Sequence, residues 1–312
     1  MESLQSIKSR LRAVKNIGQI SKAMEVVSAT KMRHAQEMAL NSRPYAFEAL
    51  RILHELSRFA PLSHPLLEPR EVTRTLLIIV ASDRGLAGSF NAQVFREVEK
   101  LLRADIYKDT EGHTYSVIAV GKKALAYAQK SKLTVVDSYV GFGDHARTEQ
   151  IQPLAKKAIE GFLNGSWDRV LTVSTHFRTT LTQDTLQRHV LPVDISAIKD
   201  TVQELIPKHG KYSEIENAEH WTTRDDEVLY LLEPDASRAL NVLLPHLIEM
   251  QLYHLVLEAN ASEHSARMIA MKNASENAEN ISYDLTLSYN KARQAGITKE
   301  LVEITATQSA LA

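Results

Sequence analysis

Apolar residues recur at helical spacing from the start of the chain. Leu4, Ile7, Leu11 and Val14 keep a three-then-four step, and Ile17, Ile20, Met24 and Val27 continue it one step out of register. The pattern predicts one helix over residues 3–59, with Ser3 at the N-cap position. Pro44, within "NSRPYAFEAL", has no amide hydrogen and crowds the preceding turn, so a bend or interruption is expected there. The stretch "FAPLSHPLLEPRE" is too rich in proline for helix, and after it the period changes. "RTLLIIVAS", "YSVIAVG", "LTVVDSYVG" and "DRVLTVSTHF" read as short strands. They alternate with helical "NAQVFREVEKLLR", "KKALAYAQKS" and "TEQIQPLAKKAIEGFLN", and "TLQRHVLPVD" closes the run. Strand–helix alternation implies crossovers and a mostly parallel sheet covered on both faces, so residues 74–200 are expected to form a Rossmann-like α/β domain.

Residues 201–233 are read as a connecting segment, and from Pro234 onward only Pro245 and Gly296 interrupt a helical pattern. A heptad stripe runs from Leu243 through Leu247, Met250 and Leu257 to Leu285, Tyr289 and Ala292; eleven of its fifteen positions are apolar, enough for a helix-pairing seam. Asp235 or Ser237 can cap its start. A helix of about 75 residues spans on the order of 110 Å, longer than one compact domain can bury. The fold class expected is therefore α/β plus a long coiled coil: an antiparallel pair of N-terminal (1–60) and C-terminal (234–312) helices with the α/β domain inserted between them.

Two helices that both meet the inserted domain rise equally per residue, so aligning residue 59 with 236 puts residue 3 near 292. The closing stretch "RQAGITKELVEITATQSALA" then has no partner within the chain, although Ile297, Leu301, Ile304 and Leu311 form an apolar stripe. About 18 residues make a lone helix of roughly 27 Å, marginal in water by itself. Another protein is expected to cover it. The seam is sparing in bulk, with Ala261, Ala278, Ala292, Ser275 and Ser282 allowing close approach, which suits a stiff rod.

Charge adds an asymmetry. The 37 Lys and Arg against 38 Asp and Glu favour no nucleic-acid partner. Yet through residue 43 eight basic residues face only Glu2, Glu25 and Glu37. The helical pattern continues past any plausible cleavage point, so this segment is not read as a leader. Cysteine is absent, which removes disulfide and thiolate chemistry. No apolar run approaches the roughly 20 residues that cross a bilayer, so the chain is not expected to span a membrane.

Catalytic equipment is not apparent. "SDRGLAGSFN" follows the first strand and opens a helix, where an α/β fold holds phosphate, but it carries Gly85-x-x-Gly88 rather than G-x-G-x-x-G and reads as a tight turn. Asp83 and Arg84 are expected to form a loop ion pair. His246, His254 and His264 do not stand on adjacent helical turns, so no metal site is expected. The rival readings are a nucleotide-binding α/β enzyme with helical appendages and a homo-oligomeric coiled-coil scaffold.

"SIKSRLRAVKNIGQISKAMEVVSATKMRHAQ", "SDRGLAGSFN", "ASEHSARMIAMKNASENA" and "YNKARQAGITKELVEI" together resemble the gamma-chain family of F-type ATP synthases over essentially the whole length. The resemblance implies a non-catalytic rotor shaft that couples ion flow to ATP synthesis or hydrolysis, without cofactor or metal of its own. Its implied partners are the alpha and beta subunits of the catalytic ring, the epsilon subunit and the membrane c-ring. Membrane association would be peripheral, at the cytoplasmic face of a bacterial plasma membrane, through the complex alone. By the same resemblance Arg293, Gln294 and Thr298 match positions gripped by a loop of beta, with Met24 at the facing position on the N-terminal helix. Lys22, Lys31 and Arg33 suit an acidic loop of beta, Arg84 the bottom of the beta subunits, and Leu301 and Ile304 the apolar bearing of the ring. The chain departs from the family at Ala87, where cysteine is common, at Ser89-Phe90, where Gly-Leu is common, and at Gly296, which costs about 1 kcal/mol of helix propensity relative to alanine.

Overall fold

A computed structural model describes residues 3–59, 64–106, 113–143, 146–194 and 236–311. Its elements follow the expected order. Helix α1 (Leu4–Phe59) precedes β1 (Arg74–Val80), α2 (Phe90–Ile106), β2 (Thr114–Val120), α3 (Lys122–Lys130) and β3 (Thr134–Tyr139). Then come α4 (Thr148–Leu163), β4 (Arg169–Phe177), β5 (Gln183–Leu191) and the 76-residue α5 (Ala236–Leu311). The segment 201–233 and Asp235 lie outside the described residues. Two compact units result, one of residues 1–29 with 267–312 and one of residues 30–266.

The first unit is an antiparallel helix pair. Ser3 caps α1 as expected, its Oγ accepting the Ser6 amide at 3.2 Å. Equal rise places Gly18 opposite residue 277, and the contacts fall on either side of it. Ser275 Oγ donates to the Gly18 carbonyl at 3.4 Å, and a Cβ added at Gly18 would stand 3.2 Å from that of Ala278. Gly18 is thus what lets the helices approach so closely. Between them lie Ile7, Ser21, Ser28, Met271 and Ala278, all buried, the narrow and partly polar seam that the small residues foretold.

The second unit is built on a five-stranded sheet of order β3-β2-β1-β4-β5, parallel except for β5, which pairs antiparallel with β4. Alternation along β1 divides two cores. Leu77 and Ile79 pack with Val94 and Val98 of α2 and Ala124 and Ala128 of α3. Leu76, Ile78 and Val80 pack with Ile151, Leu154 and Phe162 of α4 and with a long run of α5, Leu240 to Ala259. Asp168 ties the starts of β1 and β4 together, accepting from the Thr73 hydroxyl at 2.9 Å, the Arg74 amide at 2.9 Å and Arg74 Nη2 at 3.0 Å. Burial alone would raise its pKa, but these hydrogen bonds outweigh burial and bring it down to about 2.

Three expectations change. Helix α1 continues through Pro44 without interruption. The lost hydrogen bond is tolerated because the helix is held on both sides of the proline: Ala49 is buried, and Met38, Ala39 and Ile52 pack against the same core. Second, one stretch of α5 is long and apolar enough to pass for a bilayer span, but most of it is buried inside the protein. Third, every heptad position from Leu243 to Ala292 is buried or half-buried, yet from Gln251 to Ser265 so are all the others. A two-stranded seam describes α5 only in the first unit; over residues 251–265 the helix is enclosed by the α/β body.

Candidate functional site

The tip of α5 is the first surface the sequence singled out. From Arg293 to Ala306 every residue is exposed except half-buried Gly296. Ile297, Leu301 and Ile304, which share one side of the helix, are 46, 58 and 63% exposed, and Val302 on another side is 59% exposed. Thr298 turns its hydroxyl back to the Gln294 carbonyl at 2.9 Å, and Arg293 and Gln294 are exposed. Helix continues across Gly296, where a Cβ would meet nothing within 4 Å.

Lys22 is exposed and bonded to Glu25 at 2.9 Å. Met24 is half-buried and its carbonyl accepts the Ser28 hydroxyl at 2.7 Å. The helix register corrects one expectation here. Gly18 against Ala278 sets Met24 near the level of Met271, so it stands about 22 residues, roughly 33 Å, from Arg293 along the axis and does not face it. In the second unit Lys31 is half-buried and Arg33 exposed. The predicted residues therefore form a tip group (Arg293, Gln294, Thr298, Leu301 and Ile304), a separate group on α1 (Lys22 and Met24) and the residues of the second unit.

Arg84 sits on the loop joining β1 to α2, exposed beside Leu86, which is 63% exposed at φ 65°. The expected Asp83–Arg84 ion pair is absent. Asp83 instead accepts the Lys122 amide at 3.0 Å through Oδ1 and the Gly141 amide at 2.8 Å through Oδ2. Its carboxylate thus caps the first residue of α3, where unpaired amides and the helix dipole favour an anion. Ser82 reinforces the loop, its hydroxyl donating to the Arg84 carbonyl at 2.6 Å and its amide to Asn91 Oδ1 at 3.1 Å. The protein's own carboxylate occupies amides that a phosphate would need, and the loop is held so that Arg84 and Leu86 are displayed. Asp83→Ala is expected to cost about 1–2 kcal/mol, the range of a lost helix cap. Amide hydrogen exchange checks it: Lys122 and Gly141 should exchange faster while the β1 amides keep their protection.

A buried polar cluster among the described residues escaped sequence reasoning. Glu258 of α5 is buried and accepts Arg188 Nη1 at 2.8 Å, with His176 Nδ1 at 3.1 Å from the same oxygen. Arg188 comes from β5 and His176 from β4, and both are buried. Arg188 Nη2 also lies 3.2 Å from Nδ1, but Nδ1 cannot donate to Glu258 and accept from Arg188 together; the carboxylate only accepts, so Nδ1 carries the hydrogen and donates it to Glu258. Burial alone would raise the Glu258 pKa, but the His176 hydrogen bond and the Arg188 charge outweigh it and hold the carboxyl below its ordinary value. The only hint in sequence was polar residues on every side of "QLYHLVLEANASEHSAR", a pattern that a solvated helix also shows.

Comparison with known proteins places this architecture. A family model described as ATP synthase matches residues 3–311. The ATP synthase gamma chain of Roseiflexus castenholzii is 41% identical over 315 residues, covering 100% of this chain and 99% of that protein. That of Salinibacter ruber is 33% identical over 100% and 99%. Among solved structures, a chain of the Euglena gracilis mitochondrial ATP synthase OSCP/F1/c-ring assembly shares the fold at a TM-score of 0.63 and 20% identity, covering 99% of this chain and 94% of that one. A chain of the rotor from the same organism does so at 0.60. With a full-length family match and relatives this similar from end to end, the chain belongs to the ATP synthase gamma-chain family.

Proposed function

We propose that this chain is the central shaft of a rotary ATP synthase, coupling ion flow through a membrane rotor ring to ATP synthesis or hydrolysis in a ring of alpha and beta subunits. The observation that carries the reading is the tip: an apolar stripe held in continuous helix and exposed at Ile297, Leu301 and Ile304. Surface of this kind needs a socket. Gamma-chain relatives spanning the whole chain, and the likeness to rotor chains, support a catalytic ring as that socket. Lys22, Lys31 and Arg33 serve an acidic loop of beta, Arg84 the bottom of the beta subunits, and Arg293, Gln294 and Thr298 a gripping loop. The body meets the epsilon subunit and the c-ring, and the complex holds the chain at the cytoplasmic face of a bacterial membrane.

Chemistry in this reading belongs to the ring. One asymmetric shaft inside a three-fold ring touches each catalytic site differently, and only such differential contact can shift a conformational equilibrium. Turning the shaft moves each beta subunit in sequence between states of different nucleotide affinity, and by linkage nucleotide binding pushes back on the shaft. Leu301→Asp with Ile304→Asp tests the socket. Burying each side chain is worth about 1.5–3 kcal/mol, so the pair is expected to weaken ring assembly by at least about 100-fold. The melting temperature of the isolated chain should not change. Normal assembly and coupled turnover in the double variant would refute the reading.

A further inference from the structure

Residues 251–265 of α5 carry two lines of polar contacts to the α/β body. One line meets the β4–β5 hairpin. Gln251 Nε2 donates to the His189 carbonyl at 3.2 Å, Glu258 takes Arg188 and His176, and Ser262 and Ser265 Oγ donate to the Thr175 and Thr180 carbonyls at 3.5 and 2.6 Å. The other meets the segment after β3. Tyr253 Oη donates to the Ala146 carbonyl at 3.4 Å, Asn260 Nδ2 to Phe142 at 2.6 Å and His264 Nε2 to Gly143 at 2.9 Å. At about 100° per residue, positions 251, 258, 262 and 265 share one face of the helix and 253, 260 and 264 another, roughly 150° away. The helix is gripped from nearly opposite sides.

This arrangement adds a directional restraint to the packing of the surrounding apolar core. Apolar burial is non-directional, whereas hydrogen bonds weaken steeply once misaligned. Bonds on opposite flanks oppose rotation of the helix about its own axis as a couple, each acting at the full helix radius. We infer that this two-sided polar grip, centred on the Glu258–Arg188–His176 cluster, fixes the angular setting of α5 in the α/β body and is the contact through which torque passes between them. Glu258, Arg188 and His176 are positioning residues for coupling. The inference rests on the shaft reading above.

The experiment separates torque from stability. Buried ion groups replaced together by apolar residues of similar volume leave a protein as stable or more so, because desolvation no longer has to be offset. A triple variant, His176→Phe with Arg188→Met and Glu258→Leu, is assembled into the whole ATP synthase in membrane vesicles. Thermal melting, ATP hydrolysis and ATP-driven ion uptake are then read on the same preparation. Melting at or above the unsubstituted level with hydrolysis retained and ion uptake lost is the expected result. Unchanged melting with unchanged uptake per ATP would overturn the inference. Should the triple variant melt lower, Ser262→Ala with Ser265→Ala removes only the hydroxyls at the hairpin end and is read in the same way: partial loss of uptake supports the grip and full uptake overturns it. Failure of the unsubstituted complex to pump would instead strike the shaft reading itself.

Discussion

Glu258→Ala is expected to destabilise the α/β body by about 3–5 kcal/mol, the cost of breaking one side of a buried ion pair. Two buried side chains converge on one Glu258 oxygen, the Arg188 guanidinium through Nη1 at 2.8 Å and the His176 imidazole through Nδ1 at 3.1 Å. Without the carboxylate, the Arg188 guanidinium stays charged at any accessible pH and loses the buried anion that Glu258 supplies at 2.8 Å. The truncation also leaves a cavity in a stretch of α5 that is buried throughout from Gln251 to Ser265, and that adds to the penalty. Denaturant unfolding measures it as a lower midpoint at unchanged slope. Glu258→Gln should fall between alanine and the parent, since the amide keeps an acceptor for Arg188 but not the charge. A loss below about 1 kcal/mol for alanine would mean that water reaches Arg188 and that the cluster is not sealed.

The same cluster marks where reading the sequence runs out. Heptad spacing reports which positions along a helix point inward, and each of the fifteen stripe positions is indeed buried or half-buried. It says nothing of what covers the other sides. From Gln251 to Ser265 those sides carry Glu258, Asn260, Ser262 and His264, residues that on most helices face water, and here their partners lie 70 to 121 residues away. Asp83 shows the same blindness: its nearest residue in sequence with opposite charge is Arg84, but its bonds run to amides 39 and 58 positions on. What periodicity does fix is the geometry of equal-rise pairs. The register of Gly18 against Ser275 and Ala278 follows from the lengths of two helices, and with it the bare tip beyond Ala292. The surfaces legible in sequence are those whose neighbours are set by local period. The contacts that close the fold on α5 depend on tertiary topology and had no local signal.

Gly121→Ala is expected to be the most damaging change of a single methyl group in the α/β body. Gly121 joins β2 to α3 at φ 96° and ψ 147°, a region that side chains other than glycine occupy only at a cost of about 1–3 kcal/mol. Its added Cβ would stand 2.0 Å from the Ala81 carbonyl oxygen and 2.9 Å from its carbon, backbone atoms that cannot turn aside. Overpacking of this kind costs about 1–3 kcal/mol more, for a combined loss of roughly 2–6 kcal/mol. To relieve it, the end of β1 must move from β2, breaking the bond from the Ala81 amide to the Val120 carbonyl, now 2.9 Å, and straining that from the Gly121 amide to Tyr139, now 2.7 Å. Lys122 moves with Gly121, and its amide is what Asp83 holds. The damage should therefore reach the Arg84 loop without any substitution there. Amide exchange at Lys122 and Gly141 should quicken in Gly121→Ala as in Asp83→Ala, but with a much larger drop in the unfolding midpoint. Gly141→Ala serves as the control: it also has a positive φ, 90°, but a Cβ there meets nothing within 4 Å, so it should show the backbone term alone. Equal losses at the two glycines would mean that the clash with Ala81 relaxes freely and that the turn does not hold the loop in place.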